Sequence, residues 1–220
     1  MSDWLLNHWI EIFGVASGII YVILEIRQKL WLWPVGIITS AVYIWIFFTG
    51  KLYADMSLQV YYLVISCVGW YWWIRGAGRR GEGERGGRGE GETEGRREEE
   101  TKGMRVTRLK LRTGLTLGGV FIVIYTGIWL FLTRLTDSPV PVWDAFITSM
   151  SVVATWMLAR KIYEHWFLWL IVNSVSVLLF IIKGLYPTVI LYMIYFLMSF
   201  AGLKEWKKSM ILDSSAELKN

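Results

Sequence analysis

The chain has 220 residues, of which 55% are hydrophobic, and it contains 14 tryptophans and 11 tyrosines. About half of its 23 basic and 18 acidic residues fall in one segment, 75–112, so the rest of the chain is strongly apolar. This segregation excludes an ordinary soluble domain and predicts a membrane protein, because about 20 consecutive apolar residues span a bilayer as a helix. The net charge of +5 therefore needs no nucleic-acid partner, and the single cysteine, Cys67, excludes an intrachain disulfide.

Seven apolar runs follow one another along the chain. Each run is continuous rather than alternating, which indicates helices rather than a membrane β-barrel. The sequence thus predicts an all-α integral membrane protein with seven transmembrane helices, at about residues 9–26, 31–49, 53–74, 114–133, 142–159, 165–182 and 186–206. Between the third and fourth runs, residues 76–103 consist almost entirely of Gly, Arg and Glu. Such a segment buries too little apolar surface to order itself, so we expect a solvated linker.

The chain contains an internal repeat. Residues 9–73 align without a gap on residues 142–206 at an offset of 133 positions, and 13 of the 65 pairs are identical. Repeats of this kind are frequent in transporters. The identical pairs include Arg27/Arg160, Trp33/Trp166, Tyr62/Tyr195, Gly69/Gly202 and Trp73/Trp206.

The repeat also predicts how the two copies are oriented. Two three-helix units joined directly would point in opposite directions, whereas the matched basic ends Arg27 and Arg160 predict the same direction. The fourth helix supplies the missing inversion, which gives a 3+1+3 arrangement of parallel repeats. We divide the chain accordingly into a first three-helix bundle, a charged cytoplasmic loop, a linker helix, a second three-helix bundle and a cytoplasmic tail, at residues 1–75, 76–112, 113–135, 136–208 and 209–220.

The distribution of basic residues predicts the topology. With seven spans, 20 Lys and Arg residues fall on one side of the membrane and three on the other. The positive-inside rule then places the N-terminus outside and the C-terminus in the cytoplasm.

Two matching polar stripes mark the third and seventh helices. Spacings of three and four residues place each stripe on one helix face, which polar side chains normally turn towards the bundle interior. We expect the serines and glycines of these stripes to allow close helix packing. We predict substrate contacts for the larger members, Gln59, Tyr62, Tyr192 and Tyr195. The full stripes are Asp55, Gln59, Tyr62, Ser66 and Gly69, and Thr188, Tyr192, Tyr195, Ser199 and Gly202.

The sixth helix carries a WxxWxxxN pattern formed by Trp166, Trp169 and Asn173. These three positions share a helix face, and tryptophan rings attract flat organic cations. Trp166 also fits a simple role as an interfacial anchor. The corresponding residues of the first copy are Trp33, Gly36 and Ser40, so we place the substrate mainly against the sixth, third and seventh helices.

The sequence offers no set of catalytic or metal-binding residues, so we expect neither an enzyme nor a cofactor. No charged residue occupies the middle of a predicted span, and a charge at that depth usually marks ion coupling. Its absence favours facilitated diffusion, and Glu25 is the residue best placed to contradict this expectation.

The segments WPVGIITSAVY, GKLYADMSLQVYYLVISCVGWYWW and ARKIYEHWFLWLIVNSVSVLLFIIKGLY resemble the PnuC family of bacterial vitamin transporters. The resemblance covers nearly everything except the Gly/Arg/Glu segment. It implies a seven-helix fold similar to full-length SWEET transporters in the bacterial inner membrane, with substrate contacts at Trp166, Trp169 and Asn173. It also implies facilitated diffusion of an unphosphorylated B vitamin, which a cytoplasmic kinase then traps by phosphorylation.

Nicotinamide riboside is the first candidate substrate, because its pyridinium is flat and cationic. Thiamine is the alternative within the family, and a non-transporting receptor or structural membrane protein is the alternative outside it. The partners expected are therefore the vitamin, the lipid bilayer and, functionally, a vitamin kinase, while a homo-oligomer is left open.

Overall fold

The computed structural model describes residues 2–49, 53–85, 104–136, 139–182 and 184–217, with side chains at 12–49, 56–75, 104–136, 139–182 and 184–212. Within these ranges the chain forms seven α-helices, so the predicted all-helical fold is confirmed. The helices are α1 (Ser2–Ile26), α2 (Leu32–Thr49), α3 (Tyr53–Arg85), α4 (Leu111–Leu135), α5 (Pro141–Ala159), α6 (His165–Ile182) and α7 (Tyr186–Glu217).

Five stretches within the described residues are long and apolar enough to cross a membrane, and Ile12–Ile26 of α1 forms a shorter apolar helix. The described part of α3 falls outside this set because its tyrosines and tryptophans lower its mean hydropathy. The five stretches are Leu32–Thr49, Leu111–Leu135, Pro141–Ala159, His165–Ile182 and Tyr186–Leu212.

Two helices extend beyond their predicted ends. The helix α3 continues from residue 74 to Arg85, and α7 continues from residue 206 to Glu217. The first ten residues of the predicted linker, 76–85, are therefore helical. Adding residues to an existing helix avoids the unfavourable nucleation step, so α3 can continue although this segment buries little apolar surface. The remainder of the predicted linker, 86–103, lies outside the described residues.

The first compact unit comprises residues 1–105 together with 159–161. Within it, α2 packs against both α1 and α3. Trp33 and Trp73 are almost completely buried, and their rings meet edge to face at a centroid distance of 5.3 Å. The Trp33 ring lies directly over Gly69, where a Cβ atom would overlap it. Glycine is therefore required at this position of α3, as the prediction of close helix packing anticipated.

The second compact unit comprises residues 106–158 and 162–220. Within it, α6 packs against α7, and Trp166 lies over Gly202 just as Trp33 lies over Gly69 in the first unit. The helix α4 has no fully buried residue, and it contacts α5 through Leu117 and Phe121. This exposed apolar surface suits a helix that faces lipid.

The helices α1 and α5 end in the same way. Gln28 and Lys161, which are equivalent in the repeat, both adopt left-handed backbone conformations, with φ of 52° and 50°. The amide two residues beyond the cap then bonds back five residues, from Lys29 to Leu24 at 2.9 Å and from Ile162 to Met157 at 2.9 Å. This is the Schellman termination, which usually has glycine at the left-handed position.

Candidate substrate site

Asn173 lies in the middle of α6, a helix that is otherwise almost entirely apolar. Its side chain is buried and its Nδ2 donates a hydrogen bond of 3.2 Å to Ser199 Oγ on α7. Ser199 Oγ in turn donates to the backbone carbonyl of Tyr195 at 2.8 Å. A buried amide is costly to desolvate without partners, so this relay explains how the apolar interior accommodates Asn173. This relay also links Asn173 of α6 with Ser199 and Tyr195 of α7, two helices that were predicted separately from the sequence.

Trp169 stands one turn before Asn173 on the same helix. Its ring is half-buried, but its indole Nε1 is fully buried and has no hydrogen-bond partner among the described residues. Buried indole N–H groups usually find an acceptor. Trp169 therefore offers both an aromatic face and an unused donor.

Trp166 has a different environment. Its side chain is only 1% exposed, and its ring packs on Gly202 and contacts His165 and Trp206 at centroid distances of 4.8 and 6.0 Å. It also has a buried Nε1 without a partner in the described part of the chain, as does its equivalent Trp33. Because both copies contain the same enclosed tryptophan, its packing is a property of the repeat rather than of one copy.

Tyr192 and Tyr195 extend the polar surface along α7. Their rings meet edge to face at 5.9 Å, and Tyr192 also packs against Phe180 of α6 at 5.2 Å. The structure therefore brings together, within one unit, five of the seven predicted site residues. These are Trp166, Trp169, Asn173, Tyr192 and Tyr195.

The other two predicted site residues, Gln59 and Tyr62, lie on α3 in the first unit, and both are half-buried. Tyr62 contacts Tyr61 at a ring distance of 5.5 Å. The same unit contains a buried carboxylate, Glu25, which interacts electrostatically with Tyr21. The sequence placed Glu25 near the end of its span, and the structure encloses it so that it is only 2% exposed.

Sequence reasoning missed Ser176. It lies seven residues after Trp169 and three after Asn173, so all three share one face of α6. Its side chain is completely buried, and its Oγ has no hydrogen-bond partner among the residues described. The spacing of three residues from Asn173 is a signal for this position in the sequence, but Ser176 lies outside the WxxWxxxN pattern.

The turn between α5 and α6 contains charged residues that make contacts in both units. In the first unit, Lys161 Nζ lies 4.3 Å from the centroid of the Trp73 ring and donates a hydrogen bond of 3.3 Å to Gln28 Oε1. In the second unit, Glu164 Oε2 accepts a 2.8 Å hydrogen bond from the Leu109 amide. Burial and the neighbouring Glu164 carboxylate raise the pKa of the Tyr163 hydroxyl, so this phenol stays neutral around pH 7.

Within the described ranges, no group of three or more His, Cys, Asp or Glu side chains is placed to hold a metal ion. The helices α6 and α7 offer an aromatic face, an amide, phenols and three buried hydrogen-bonding groups, on Trp166, Trp169 and Ser176, that have no partner among the described residues. Such a set recognises a flat polar molecule by stacking and hydrogen bonding.

Comparison with known proteins agrees with this description. Residues 8–208 match the family described as nicotinamide mononucleotide transporter. The nicotinamide riboside transporter PnuC of Escherichia coli (strain K12) is 28% identical over 209 residues, which cover 91% of this chain and 86% of that protein. The riboflavin/roseoflavin transporter RibM of Streptomyces davaonensis is 27% identical over 198 residues, covering 90% and 84% of the two chains.

A crystal structure of the vitamin B3 transporter PnuC has the same fold, with a TM-score of 0.67 at 23% identity, covering 94% of this chain and 84% of that one. The resemblance to the PnuC family that the sequence motifs indicated is thereby confirmed. With a match over almost its whole length, the chain belongs to the nicotinamide mononucleotide transporter family.

Proposed function

We propose that the protein is a uniporter that carries unphosphorylated nicotinamide riboside across the bacterial inner membrane by facilitated diffusion. The observation that carries this proposal is the Asn173–Ser199 pair beside Trp169, whose indole N–H is buried without a partner in the described structure. A polar pair and an unused donor inside an apolar helix layer are the features expected of a binding site for a flat polar ligand.

The chemistry of these groups fits the riboside. The Trp169 ring attracts a cationic pyridinium, an interaction worth about 0.5–2 kcal/mol depending on desolvation. The Asn173 amide matches the carboxamide of nicotinamide, since each offers a donor and an acceptor. Tyr192 and Tyr195 add aromatic edges and hydroxyls, and Gln59 and Tyr62 are further proposed contacts. Trp166, enclosed between Gly202 and Trp206, supports the site through packing.

Facilitated diffusion is favoured by the composition of the two helices that carry the site. The sequence has no Lys, Arg, Asp or Glu between His165 and Lys183 or between Tyr186 and Lys204. A coupling ion normally needs such a group at membrane depth. We propose accordingly that the chemical gradient of the vitamin drives uptake, and that a cytoplasmic kinase maintains this gradient by phosphorylating the product.

For the architecture, we propose the 3+1+3 arrangement of parallel repeats, with the N-terminus outside and the C-terminus in the cytoplasm. The repeat at an offset of 133 residues and the excess of Lys and Arg on one side support this topology. Labelling of a cysteine introduced at Ser2 by a membrane-impermeant reagent in intact cells tests it. Labelling of an introduced Lys219→Cys instead would contradict the proposed orientation.

The experiment that tests the substrate is titration of the purified protein with nicotinamide riboside, thiamine and riboflavin, followed by uptake into proteoliposomes. We expect the riboside to bind tightest and to equilibrate across the vesicle membrane without a pH or sodium gradient. Uptake that never exceeds leakage into empty vesicles would contradict transport and favour a receptor. Uptake that requires a proton gradient would contradict facilitated diffusion and direct attention to Glu25.

Riboflavin is a second candidate substrate, because the similarity to the riboflavin/roseoflavin transporter is nearly as high as that to the nicotinamide riboside transporter. Its uncharged three-ring system gains less from Trp169 than a pyridinium does. Tighter binding of riboflavin than of the riboside would establish it as the substrate instead.

A further inference from the structure

The Ser176 hydroxyl stands apart from other hydroxyls of the second unit. The usual way for a serine or threonine to satisfy its hydroxyl within a helix is to bond the carbonyl four residues earlier. Ser149, Ser174 and Ser199 all do so, at 2.7, 2.7 and 2.8 Å. Ser176 is more deeply buried than Ser174 on the same helix, yet its Oγ bonds no described group.

An unsatisfied hydroxyl in an apolar interior is unfavourable, and removing it costs the folded protein nothing. Alanine or valine would fill the same place in α6 without this penalty. The simplest reason for a serine is a partner that the helix bundle itself does not supply. Trp169, which also has a buried unpartnered N–H, lies on the same face of α6 two turns away.

The positions of these groups along α6 define what the partner must offer. Trp169, Asn173 and Ser176 follow one another at spacings of four and three residues, which spreads them over about 10 Å of helix length. A ligand that meets all three therefore has two parts, a flat ring near Trp169 and Asn173 and a hydroxyl-bearing part near Ser176. A sugar hydroxyl suits Ser176, because each of the two groups can both donate and accept a hydrogen bond.

We infer that Ser176 is a further substrate-binding residue, which recognises a hydroxyl of the sugar or sugar-like part of the transported vitamin. The inference rests on the proposed function, because it assumes that α6 contacts the substrate. Since Ser176 is completely enclosed in this conformation, the substrate reaches it when the helices around α6 separate during transport. The hydroxyl then gains the partner that it lacks in the closed arrangement, which adds to the affinity for a sugar-bearing ligand.

The test pairs Ser176→Ala with nicotinamide riboside and its 2′-, 3′- and 5′-deoxy analogues in a binding cycle. In the unsubstituted protein, one analogue should bind at least fivefold more weakly than the riboside. In Ser176→Ala, the riboside itself should weaken at least fivefold, and that analogue should bind as well as the riboside does. The melting temperature should stay unchanged or rise, because an unsatisfied buried group has been removed.

Ser174→Ala is the matched control, because Ser174 lies on the same helix and its hydroxyl already bonds the Leu170 carbonyl. It should leave every affinity within twofold of the original. Equal penalties for all deoxy analogues in Ser176→Ala and in the original protein would overturn the inference. So would a loss of riboside affinity that is accompanied by a lower melting temperature and is the same for every ligand.

The experiment also separates this inference from the proposed substrate. If riboflavin or thiamine binds and the riboside does not, the proposed substrate is wrong, and the same variants are titrated with that vitamin. A weaker affinity in Ser176→Ala but not in Ser174→Ala then still supports the role of Ser176. Unchanged affinity overturns it, and an absence of binding by all three vitamins overturns both proposals.

Discussion

The two copies of the repeat share their packing and differ in their polar interior. Each copy places a tryptophan of its second helix over a glycine of its third, Trp33 over Gly69 and Trp166 over Gly202. Each adds a second tryptophan edge to face against the first, at 5.3 Å in one copy and 6.0 Å in the other. These contacts are the same in both copies, which marks them as the packing framework of each unit.

The positions next to this framework have diverged. Where the second copy has Trp169, the first has Gly36, and a Cβ atom there would approach Ser66 Oγ to 2.9 Å and the Tyr21 ring to 3.1 Å. Where the second copy has Asn173, the first has Ser40. In the first copy, Tyr21 and Ser66 thus occupy the space next to Gly36, whereas the equivalent position of the second copy carries the large indole of Trp169. The comparison teaches that both copies keep the same contact between helices, while the residues one turn further along differ, and these are the positions at which we propose the substrate binds.

The largest effect should come from adding a methyl group to the shared framework. In Gly69→Ala and in Gly202→Ala, the new Cβ would overlap the ring of Trp33 or Trp166, and neither ring has room to move. We expect each variant to lose about 2–3 kcal/mol of stability from overpacking. Thermal unfolding in detergent measures this as a lower melting temperature of similar size in both variants.

Gly127→Ala on α4 is the control, because a Cβ there meets nothing within 4 Å. It should raise stability slightly, since alanine favours a helix over glycine by about 1 kcal/mol. A marked loss in only one of the two framework variants would show that the copies do not share the packing described.

The next effect concerns the diverged positions. Asn173→Ala should weaken binding of the substrate at least tenfold, or about 1.4 kcal/mol, because the ligand loses an amide partner. Ser40→Ala at the equivalent position of the first copy should change the affinity less than twofold. Titration of both variants with the same vitamin decides between them, provided that each retains its cooperative melting transition. Equal losses in the two variants would mean that both copies bind the ligand.

Much of the fold could be predicted from the sequence, because its signals are local. The bounds of α6 follow directly from an apolar run between charged turns, and the predicted range 165–182 is the observed one. The close approach at Gly69 and Gly202 followed from small residues at helical spacing. The extension of α3 to Arg85 did not, because hydropathy detects the membrane and not the continuation of a helix into water.

The candidate site was harder to predict, because its hydrogen-bond partners lie on different helices and are brought together only by the fold. The pattern of Trp169 and Asn173 was visible, whereas the pairing of Asn173 with Ser199 required the contact between α6 and α7. Ser176 looked like any helical serine in the sequence, and its deeper burial and its missing hydrogen bond distinguish it from Ser174. Trp166 and Trp169 look equivalent in the sequence motif. In the structure Trp166 is almost completely buried and packs against protein groups, whereas Trp169 is half-exposed.

A smaller effect should separate the two tryptophans of the motif. Trp166→Phe leaves a void over Gly202 and should lower stability by about 1–2 kcal/mol, as Trp33→Phe should in the first copy. The affinity of the folded protein for its substrate should stay within threefold, because the Trp166 ring is enclosed by protein groups. Trp169→Phe should show the reverse, with little change in melting and weaker binding. A tenfold loss of affinity in Trp166→Phe at normal stability would make Trp166 a ligand-binding residue.

The smallest effect concerns the turns that end α1 and α5. Gln28 and Lys161 occupy the same left-handed position, and the side chain of Lys161 contacts the Trp73 ring and the Gln28 side chain. Lys161→Met removes both contacts and keeps a non-glycine residue in the left-handed conformation, so we expect the free energy of unfolding to fall by about 1 kcal/mol. Lys161→Gly removes the same contacts but relieves the left-handed conformation, which is unfavourable by about 1–2 kcal/mol for residues other than glycine. The net effect of Lys161→Gly on stability should therefore be close to zero. Gln28→Gly should be neutral or stabilising, because the Gln28 side chain makes fewer contacts that would be lost.

Melting temperatures that fall equally in Lys161→Met and Lys161→Gly would show that the side chain alone sets the stability of this turn. Equal melting of Lys161→Met and the original protein would show instead that the contact with Trp73 contributes nothing, and that the conformation common to both copies is held by the backbone bonds of the turn.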